Sequence, residues 1–352
     1  MARFALDCFW LFDGPPSGRM VVQEIVRAWF EYFPDDELTL AVRKSDAARA
    51  AKLYPSARVI PLAFKPHAVA VSIELPLKVG GGWRLVTQNF TPVFRKSTVF
   101  IHDAIFKSNP EWFTVMERAY LELMVPLSRF ADAKVTSSRT ESERVRRLFP
   151  GDTKVKAVGL ALSTSLRNAV ERRPSGFANS DFILSVGRLN VRKNLSTLIR
   201  AAATSSTISE SCPLVVVGEA SGRQMADNAE LKNMVARKEL ILLGHVPDAE
   251  LKWLYTHARA LAFLSLDEGY GLPPLEAASF GTGSILSDIP VFRELYPHAV
   301  FVDPRNVESA RNALDATRRR SGESIKSSDG AASDGWLEIV GAIRDASMKG
   351  MP

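Results

Sequence analysis

The chain has few of the features that mark secreted, membrane-spanning or disulfide-rich proteins. Its 352 residues include only two cysteines, Cys8 and Cys212, each beside or within an apolar, strand-like pattern. We expect both to be reduced core thiols of a cytoplasmic protein. No apolar run approaches the ~20 residues that a membrane-spanning helix needs. The apolar opening Phe4–Phe12 is interrupted by Asp7 and has no basic leader or small-residue cleavage site, so it predicts a first buried strand.

The charge balance is basic. The chain has 45 Lys and Arg against 39 Asp and Glu, which gives a formal net charge of +6. An anionic membrane surface would attract such a protein, because each basic residue near a leaflet contributes about 1 kcal/mol. A solvated surface with a mild excess of Lys and Arg explains the charge equally well. The basic residues are scattered and accompany no nucleic-acid motif, so we expect no nucleic-acid partner.

Apolar, strand-like runs alternate with longer helical patterns, which predicts an α/β fold with parallel sheets. The runs predicted as strands are Arg3–Phe9, Leu38–Val42, Val59–Pro61, Leu85–Gln88, Ser97–Ile101, Ala133–Thr136, Val155–Val158, Phe182–Val186, Pro213–Val217, Ile241–Leu243, Ala260–Leu264, Gly283–Ser287 and Ala299–Val302. Between the two sets, the polar stretch Arg167–Ser180 predicts a linker. We therefore expect two Rossmann-like halves, with ligand at the carboxyl ends of the strands.

The window Ser265–Gly283 is the most informative of the chain. It places Glu268 in a Gly- and Pro-rich turn and Glu276, after seven intervening residues, in a helical apolar pattern. The residues between them include Gly269, Tyr270, Gly271, Leu272, Pro273 and Pro274. Glycine lets backbone amides approach a ligand, and proline pre-sets a helical turn whose free N–H groups favour an anion. The carboxylates alone would fit an ordinary loop-to-helix junction, but the flanking glycines and prolines favour a ligand site.

From Glu268 to Ser287 the chain has the pattern EGxGLPxLEAxxxGxxxxxS. This pattern resembles the Glu-x7-Glu signature of retaining glycosyltransferases with the GT-B fold, of the group 1 or family 4 type, and is mannosyltransferase-like. The resemblance implies two Rossmann-like domains facing across a cleft, with a C-terminal helix that crosses back to the first domain. We expect an acceptor-binding domain over residues 1–172, a nucleotide-sugar-binding domain over 173–335, and a terminal helix in 336–352 that packs on the first domain.

A second motif, VGRLNVRKN, follows a predicted strand and opens a helix at Val186–Asn194. It resembles the GR-x-x-x-x-KN motif of the same family, which implies that Gly187, Arg188 and Lys193 bind the donor. The resemblance also implies that Arg188, Lys193 and the later Glu268 are catalytic, with the basic pair neutralising the leaving nucleoside diphosphate. A guanidinium fork and an ammonium from one loop can share the oxygens of a diphosphate. The alternative is a basic loop in which Asn194 caps a helix.

The resemblance implies further donor contacts. Glu276 would accept the ribose hydroxyls and Glu268 the hexose hydroxyls, while His245 and Val246 would approach the nucleoside base. Gly18 lies where the family has a Gly-rich phosphate loop, although this chain keeps only Gly14 and Gly18 there.

Acceptor contacts are expected in the first half. His102 and Asp103 end the apolar strand in VFIHDAIF, where the family has a His-Asp pair near the sugar and acceptor. We interpret His102 as catalytic and Asp103 as its orienting or acceptor-binding neighbour. Arg139 opens a helix with the capped pattern of Ser138 and Glu141 and is a further candidate for the acceptor.

The resemblance implies a metal-independent retaining transferase that moves a hexosyl group, mannose or a related sugar, from a nucleotide diphosphate sugar, with GDP-mannose favoured. The acceptor would be a saccharide or lipid-linked saccharide of cell-surface polysaccharide or lipopolysaccharide biosynthesis. No cofactor is expected, and the absence of Asp-x-Asp fits basic residues in place of Mg²⁺. We expect a cytoplasmic protein, peripheral on the inner face of the plasma membrane. A GT-B epimerase, a sugar-phosphate synthase and a non-catalytic nucleotide-binding α/β protein stay open as alternatives.

Overall fold

The computed structural model describes residues 2–149, 155–187, 190–218, 229–318 and 335–348. The chain divides into two compact units. Unit 1 comprises Met1–Ala161 together with Ala332–Pro352, and unit 2 comprises Leu162–Ala331. Arg188, which the sequence assigns to the donor, lies outside the described residues.

Unit 1 is built on a 7-stranded sheet with the order β3-β2-β1-β4-β5-β6-β7. All of its neighbouring strands are parallel. The strands are β1 Arg3–Asp7, β2 Glu37–Arg43, β3 Arg58–Leu62, β4 Arg84–Gln88, β5 Ser97–Ile101, β6 Ala133–Thr136 and β7 Val155–Ala157. The direction of strand addition reverses between β1 and β4, which is the position where open parallel sheets bind ligands.

The helices of unit 1 cover both faces of this sheet, and two apolar cores result. The α-helices are Pro16–Tyr32, Ala47–Leu53, His67–Val69, Leu75–Val79, Ile105–Ser108, Val115–Glu122, Met124–Leu127, Arg139–Leu148 and Gly335–Met348. A π-helical turn, Ala70–Glu74, joins the third and fourth of them. The helical pattern of the sequence over Glu111–Ala131 predicts one continuous helix, and this prediction is wrong. Thr114 caps a new start with a capping box, and 3-10 turns replace helix at both ends of this region.

Unit 2 repeats the design with a 6-stranded sheet of order β10-β9-β8-β11-β12-β13, again all parallel. The strands are β8 Ile183–Val186, β9 Leu214–Val217, β10 Leu240–Gly244, β11 Ala260–Phe263, β12 Ser284–Ser287 and β13 Val300–Val302. The helices are Thr164–Asn168, Leu195–Ala203, Ala229–Ala236, Asp248–His257, Leu272–Ser279, Pro290–Leu295 and Val307–Asp315. Here the direction of strand addition reverses between β8 and β11.

The stretch just before the linker predicted from the sequence packs with unit 2. Helix Thr164–Asn168 lies beside helix Asp248–His257, and the Ser165 hydroxyl donates to the Asp248 carboxylate. The Lys252 ammonium also donates to the backbone carbonyls of Arg167 and Ala169. The compact units accordingly divide between Ala161 and Leu162.

The C-terminal helix Gly335–Met348 belongs to unit 1, as the GT-B resemblance predicted. It buries Trp336, Ile339, Val340 and Ile343 in one of the two cores of that unit. Its Arg344 donates to Asp36 through Nε at 2.6 Å and Nη2 at 3.0 Å. Within the described residues, no helix combines the length and the apolar character that crossing a bilayer requires.

Asp36 provides a test of how the terminal helix is held. Its buried carboxylate also accepts from the Trp29 indole at 3.1 Å. Burial alone would raise the pKa of Asp36, but the hydrogen bonds from Arg344 and Trp29 outweigh it and lower that pKa. We predict that Asp36→Asn lowers the free energy of unfolding at neutral pH by about 1–3 kcal/mol, because charge-assisted bonds are lost and buried donors stay unpaired.

The sign of the pH dependence follows from the lowered pKa. The carboxylate stabilises the fold above its unfolded pKa of about 3.9, and this contribution disappears as the pH falls through the lower folded value. Urea unfolding should show the difference between wild type and Asp36→Asn shrinking in acid. The matched control is Asp288→Asn, which breaks an exposed Asp–Arg pair with Arg293 and should leave stability nearly unchanged. Equal stability of Asp36→Asn and wild type at neutral pH would contradict the prediction.

Candidate functional site

The candidate donor site lies at the carboxyl ends of β8 and β11 in unit 2. These strands are parallel neighbours, so the loops that follow them begin side by side. The two loops are joined directly, because the Leu266 amide donates to the Arg192 carbonyl at 2.8 Å. The Asn194 side-chain amide donates to the Leu264 carbonyl at 3.1 Å. The two strongest sequence motifs of unit 2 therefore meet in one place.

Lys193 and Glu268 form a buried ion pair at this junction. The Lys193 ammonium lies 2.5 Å from Glu268 Oε1, and the Arg192 guanidinium lies 3.5 Å from Oε2. Glu268 is only 6% exposed. Burial by itself would raise its pKa, but the charges of Lys193 and Arg192 outweigh that effect and lower it. The carboxylate is thus ionised at neutral pH, and it holds two cations beside the end of the sheet.

Backbone geometry fixes Lys193 in this position. The Asn190 side chain accepts from the Lys193 amide at 3.0 Å and shapes the short 3-10 turn Val191–Lys193. Asn194 then takes a left-handed conformation with φ of 51°, which asparagine tolerates better than most residues. Its side chain also donates to the Pro304 carbonyl at 2.6 Å. Asn194 therefore anchors the loop to the sheet. It also occupies the N-cap position of helix Leu195–Ala203, but its side chain accepts from the Thr197 hydroxyl and from no backbone amide of that helix.

Glu276 lies in the helix that follows the second loop. This helix, Leu272–Ser279, begins after Gly271, whose φ is 96° and whose missing Cβ would lie 2.7 Å from the Phe292 ring. The Tyr255 hydroxyl donates to Glu276 Oε2 at 2.5 Å. Burial raises the pKa of Glu276 to about 7, and the Tyr255 hydrogen bond only partly opposes this shift. Near neutral pH, Glu276 thus exchanges between its protonated and ionised forms.

The other predicted donor residues occupy varied positions. Gly187 follows β8 and has a φ of 151°. A Cβ added to it would lie 3.5 Å from Lys193 Cε, so the glycine packs against the Lys193 side chain. Gly269 and Tyr270 lie in the loop between Glu268 and the helix, and Leu272 is the first helical residue. His245 is exposed and Val246 buried just after β10, the edge strand two positions from β8. The described contacts bring together Gly187, Lys193 and Glu268, but they do not include His245 or Val246.

The predicted acceptor residues all lie in unit 1. His102 follows β5, and its Nε2 lies 2.8 Å from Gln88 Oε1. Burial, reinforced by the neighbouring His67, lowers the pKa of His102 to about 4, so its imidazole is neutral at physiological pH. Asp103 accepts from the Ile105 amide at 3.3 Å. Arg139 is exposed at the start of its helix. The Ser138 hydroxyl oxygen accepts from the Glu141 amide at 3.1 Å and so caps this helix, as the sequence pattern predicted.

Gly18 also lies in unit 1, within helix Pro16–Tyr32. An added Cβ would lie 2.7 Å from Trp10 Cε3. A Cβ on Gly14 would meet the same indole at 2.8 Å. The close approach that these glycines permit is therefore to the Trp10 side chain. The assignment of Gly18 to a donor phosphate stays a prediction.

Several neighbours of the predicted residues were missed in the sequence. In unit 2 they are Arg192, the second cation on Glu268, and Tyr255, the partner of Glu276. In unit 1 they are Asp7, His67 and Gln88, which form a hydrogen-bonded group behind His102. The sequence did indicate Asp7, because a carboxylate that interrupts a buried strand needs hydrogen-bond partners. Nothing in the local sequence around Gln88 or Tyr255 indicated that either would contact a candidate site residue.

Comparisons with known proteins agree with this architecture. Residues 168–319 match the family model for glycosyl transferases group 1. Over 262 residues the chain is 25% identical to the O-antigen chain mannosyltransferase RfbU of Salmonella typhimurium, a span of 74% of this chain and 71% of that protein. Over 237 residues it is 28% identical to the GDP-mannose:cellobiosyl-diphosphopolyprenol alpha-mannosyltransferase of Komagataeibacter xylinus, a span of 64% of this chain and 57% of that protein.

A solved structure extends the comparison to the whole fold. Sucrose-phosphate synthase of Thermosynechococcus elongatus superposes with a TM-score of 0.67 at 17% identity, covering 99% of this chain and 94% of that one. Identity this low establishes the fold alone. The chain therefore has the GT-B fold, and its residues 168–319 are similar to the glycosyl transferases group 1 family, in line with the Glu-x7-Glu resemblance.

Proposed function

We propose that the chain is a retaining glycosyltransferase that moves a mannosyl group from GDP-mannose to a saccharide or lipid-linked saccharide acceptor. The observation that carries the proposal is the buried cluster of Lys193, Arg192 and Glu268 at the β8/β11 switch point. The choice of mannose and of a guanine nucleotide draws on the two relatives, one an O-antigen chain mannosyltransferase and the other a GDP-mannose-dependent enzyme. An assembly step of cell-surface polysaccharide is the corresponding role.

Lys193 supports departure of the leaving group. Its ammonium is held beside Glu268 before a donor binds, so little reorganisation is needed when diphosphate oxygens arrive. Negative charge grows on the diphosphate as the sugar–oxygen bond breaks, and a preorganised cation stabilises that charge more than it stabilises the ground state. Arg188, from the same motif, is proposed to share this task. The ionised Glu268 has spare lone pairs to accept the hexose hydroxyls.

Glu276 is proposed to bind the ribose. Its Oε1 would accept hydroxyl hydrogens while the Tyr255 hydroxyl holds Oε2. Because the pKa of Glu276 is near 7 in the free protein, donor binding should favour the ionised, acceptor-only form. The acceptor hydroxyl would attack the face from which the diphosphate departs, which gives retention without a carboxylate nucleophile.

The alternatives differ from a transferase in their products. A GT-B epimerase or sugar-phosphate synthase would share the phosphate-binding cations, whereas a non-catalytic nucleotide-binding protein would leave the donor intact. Incubating the chain with radiolabelled GDP-mannose and a lipid-linked saccharide extract separates them. Label transferred to the acceptor supports the proposal. Epimerised donor would instead indicate an epimerase, and a sugar phosphate product would indicate a synthase. Unchanged donor despite nucleotide binding would indicate a non-catalytic protein.

Unit 1 also exposes five large apolar side chains, a set that we call the apolar face: Phe94, Val115, Met116, Leu123 and Phe130. Phe94, Val115 and Met116 are each more than four-fifths exposed, at 87%, 88% and 83%. Helix Val115–Glu122 has no buried residue, and the Phe94 and Phe130 rings lie 5.6 Å apart. Exposed basic residues adjoin these positions in the sequence, namely Lys96, Arg118 and Arg129. Together with the net charge of +6, this composition fits an anionic lipid surface.

We predict that Lys193→Ala lowers mannosyl transfer by about 10²–10³-fold, because one preorganised charge on the leaving group is lost. The melting temperature should also fall, because the buried Glu268 keeps only the more distant Arg192, so transfer is compared at a temperature at which the variant is folded. Lys238→Ala is the matched control, because it breaks another Lys–Glu pair of unit 2, with exposed Glu210. Transfer by folded Lys193→Ala within twofold of wild type would remove Lys193 from the mechanism.

A second prediction concerns divalent metals. If the basic side chains neutralise the diphosphate, transfer should continue at its full rate after dialysis against EDTA. Rates with and without added Mg²⁺ or Mn²⁺ provide the measurement. Activity that disappears with EDTA and returns with either metal would overturn metal independence.

A third prediction concerns the apolar face. The double variant Val115→Ser/Met116→Ser should bind vesicles of phosphatidylcholine and phosphatidylglycerol about tenfold or more weakly, because two apolar side chains no longer enter the lipid. Leu77→Ser is the control, since it removes an apolar side chain that is 79% exposed on another helix of unit 1. Equal flotation of the double variant and wild type, or binding unaffected by omitting phosphatidylglycerol, would contradict the lipid assignment.

A further inference from the structure

A buried group of polar side chains lies at the β1/β4 switch point of unit 1. Asp7 ends β1 and is only 2% exposed. Its Oδ1 accepts from the Phe9 amide at 3.1 Å, and its Oδ2 accepts from the Gln88 amide at 3.1 Å. Oδ2 also lies 2.8 Å from His67 Nε2. The carboxylate is fully engaged in holding its neighbours, so it acts here as an anchor.

His67 contacts the Asp7 carboxylate and packs among three aromatic side chains. Because Nε2 faces the Asp7 carboxylate, this nitrogen carries a proton. Nδ1 is buried and makes no hydrogen bond to the described residues. The ring instead packs against Phe9, Trp10 and Phe90, with centroids 4.8, 4.7 and 5.5 Å away. The end of β4 is therefore held rigidly from the side of β1.

Gln88 transmits this rigidity to His102. Its backbone is fixed by Asp7, its side chain is buried, and its Oε1 lies 2.8 Å from His102 Nε2. The next residue, Asn89, holds a left-handed conformation with φ of 60°, and its Oδ1 accepts from the His102 amide at 3.0 Å. Two consecutive residues at the end of β4 thus fix both the ring and the backbone of His102. A non-glycine residue in this conformation persists where its surroundings require it.

We propose that Gln88 is a positioning residue that keeps His102 in the Nε2–H tautomer, so that Nδ1 can accept a hydrogen bond from the acceptor hydroxyl. An amide oxygen accepts the Nε2 proton without adding charge, and this leaves the opposite nitrogen with its lone pair. The inference rests on the proposed transferase function and on the sequence-based expectation that His102 contacts the acceptor. It adds to that function Gln88, a residue from a different strand that determines which nitrogen of the His102 imidazole can accept a hydrogen bond.

The choice of glutamine over glutamate is the chemical core of the inference. A carboxylate at position 88 would keep the geometry but favour the imidazolium, which has no acceptor nitrogen. The titratable groups that face His102 are His67 and Asp7, and burial combines with His67 to keep the pKa of His102 low. Gln88→Glu should therefore raise that pKa. Gln88→Leu adds no charge but removes the acceptor for the Nε2 proton, so His102 should populate both neutral tautomers.

The test is nitrogen-15 NMR of histidine-labelled full-length chain, with the His102 signals assigned from His102→Gln. We expect the Nε2–H tautomer in wild type, a titration midpoint raised by one pH unit or more in Gln88→Glu, and mixed tautomers in Gln88→Leu. Gln23→Leu is the matched control, because Gln23 bonds the Leu11 carbonyl in the same unit and does not contact His102. A wild-type Nδ1–H tautomer, or an unchanged His102 titration in folded Gln88→Glu, would overturn the inference.

Kinetics provide the second readout. Gln88→Glu should move the acid limb of the kcat–pH profile to higher pH by the same shift that NMR reports for His102, with the KM for GDP-mannose unchanged, because only the unprotonated imidazole has an acceptor nitrogen. Transfer at the wild-type rate in both Gln88 variants would also overturn it. The NMR signals need no turnover, so failure of the proposed function appears separately, as absence of transfer by wild type.

Discussion

The burial of Glu268 is the constraint on which the candidate donor site depends. A carboxylate that is almost entirely removed from water is tolerated only when cations and hydrogen bonds compensate its charge. Lys193 and Arg192 provide that compensation, and both come from the loop after the neighbouring strand β8. The pairing therefore connects the two loops and sets the place of the lysine. The same interaction holds in place the ammonium that we propose binds the diphosphate of a donor.

Unit 1 uses a related device with a different chemical result. Asp7 is as deeply buried as Glu268 and also lies at the reversal of strand order in its sheet. Its partners are a histidine and two backbone amides, whereas the partners of Glu268 are the Lys193 and Arg192 side chains. Each parallel sheet thus uses a buried carboxylate to order the loops at its switch point. In unit 2 the result is a pair of cations that we propose bind phosphate, and in unit 1 it is a neutral imidazole at His102 held against Gln88.

Much of the fold could be predicted from the sequence. Parallel strands buried on both faces appear as continuous apolar runs, so β1 to β13 were found close to their true ends. The region after Thr114 was harder, because a capping box and a mid-region Pro126 divide a helical pattern that looks continuous. Lys193, Glu268 and Glu276 were found through their motifs, and their roles stay predictions. Arg192, Tyr255 and Gln88 depend on which strands become neighbours, and local patterns do not encode that.

The central claim is that this chain transfers mannose from GDP-α-mannose with retention of configuration. Slow hydrolysis of the donor tests it most directly, because water then replaces the acceptor and no acceptor need be known. Proton NMR can follow the anomeric signal of the released mannose before mutarotation equilibrates it. The account predicts that the α anomer appears first. Initial release of the β anomer would contradict retention, and a donor that binds but is never cleaved would contradict transferase chemistry.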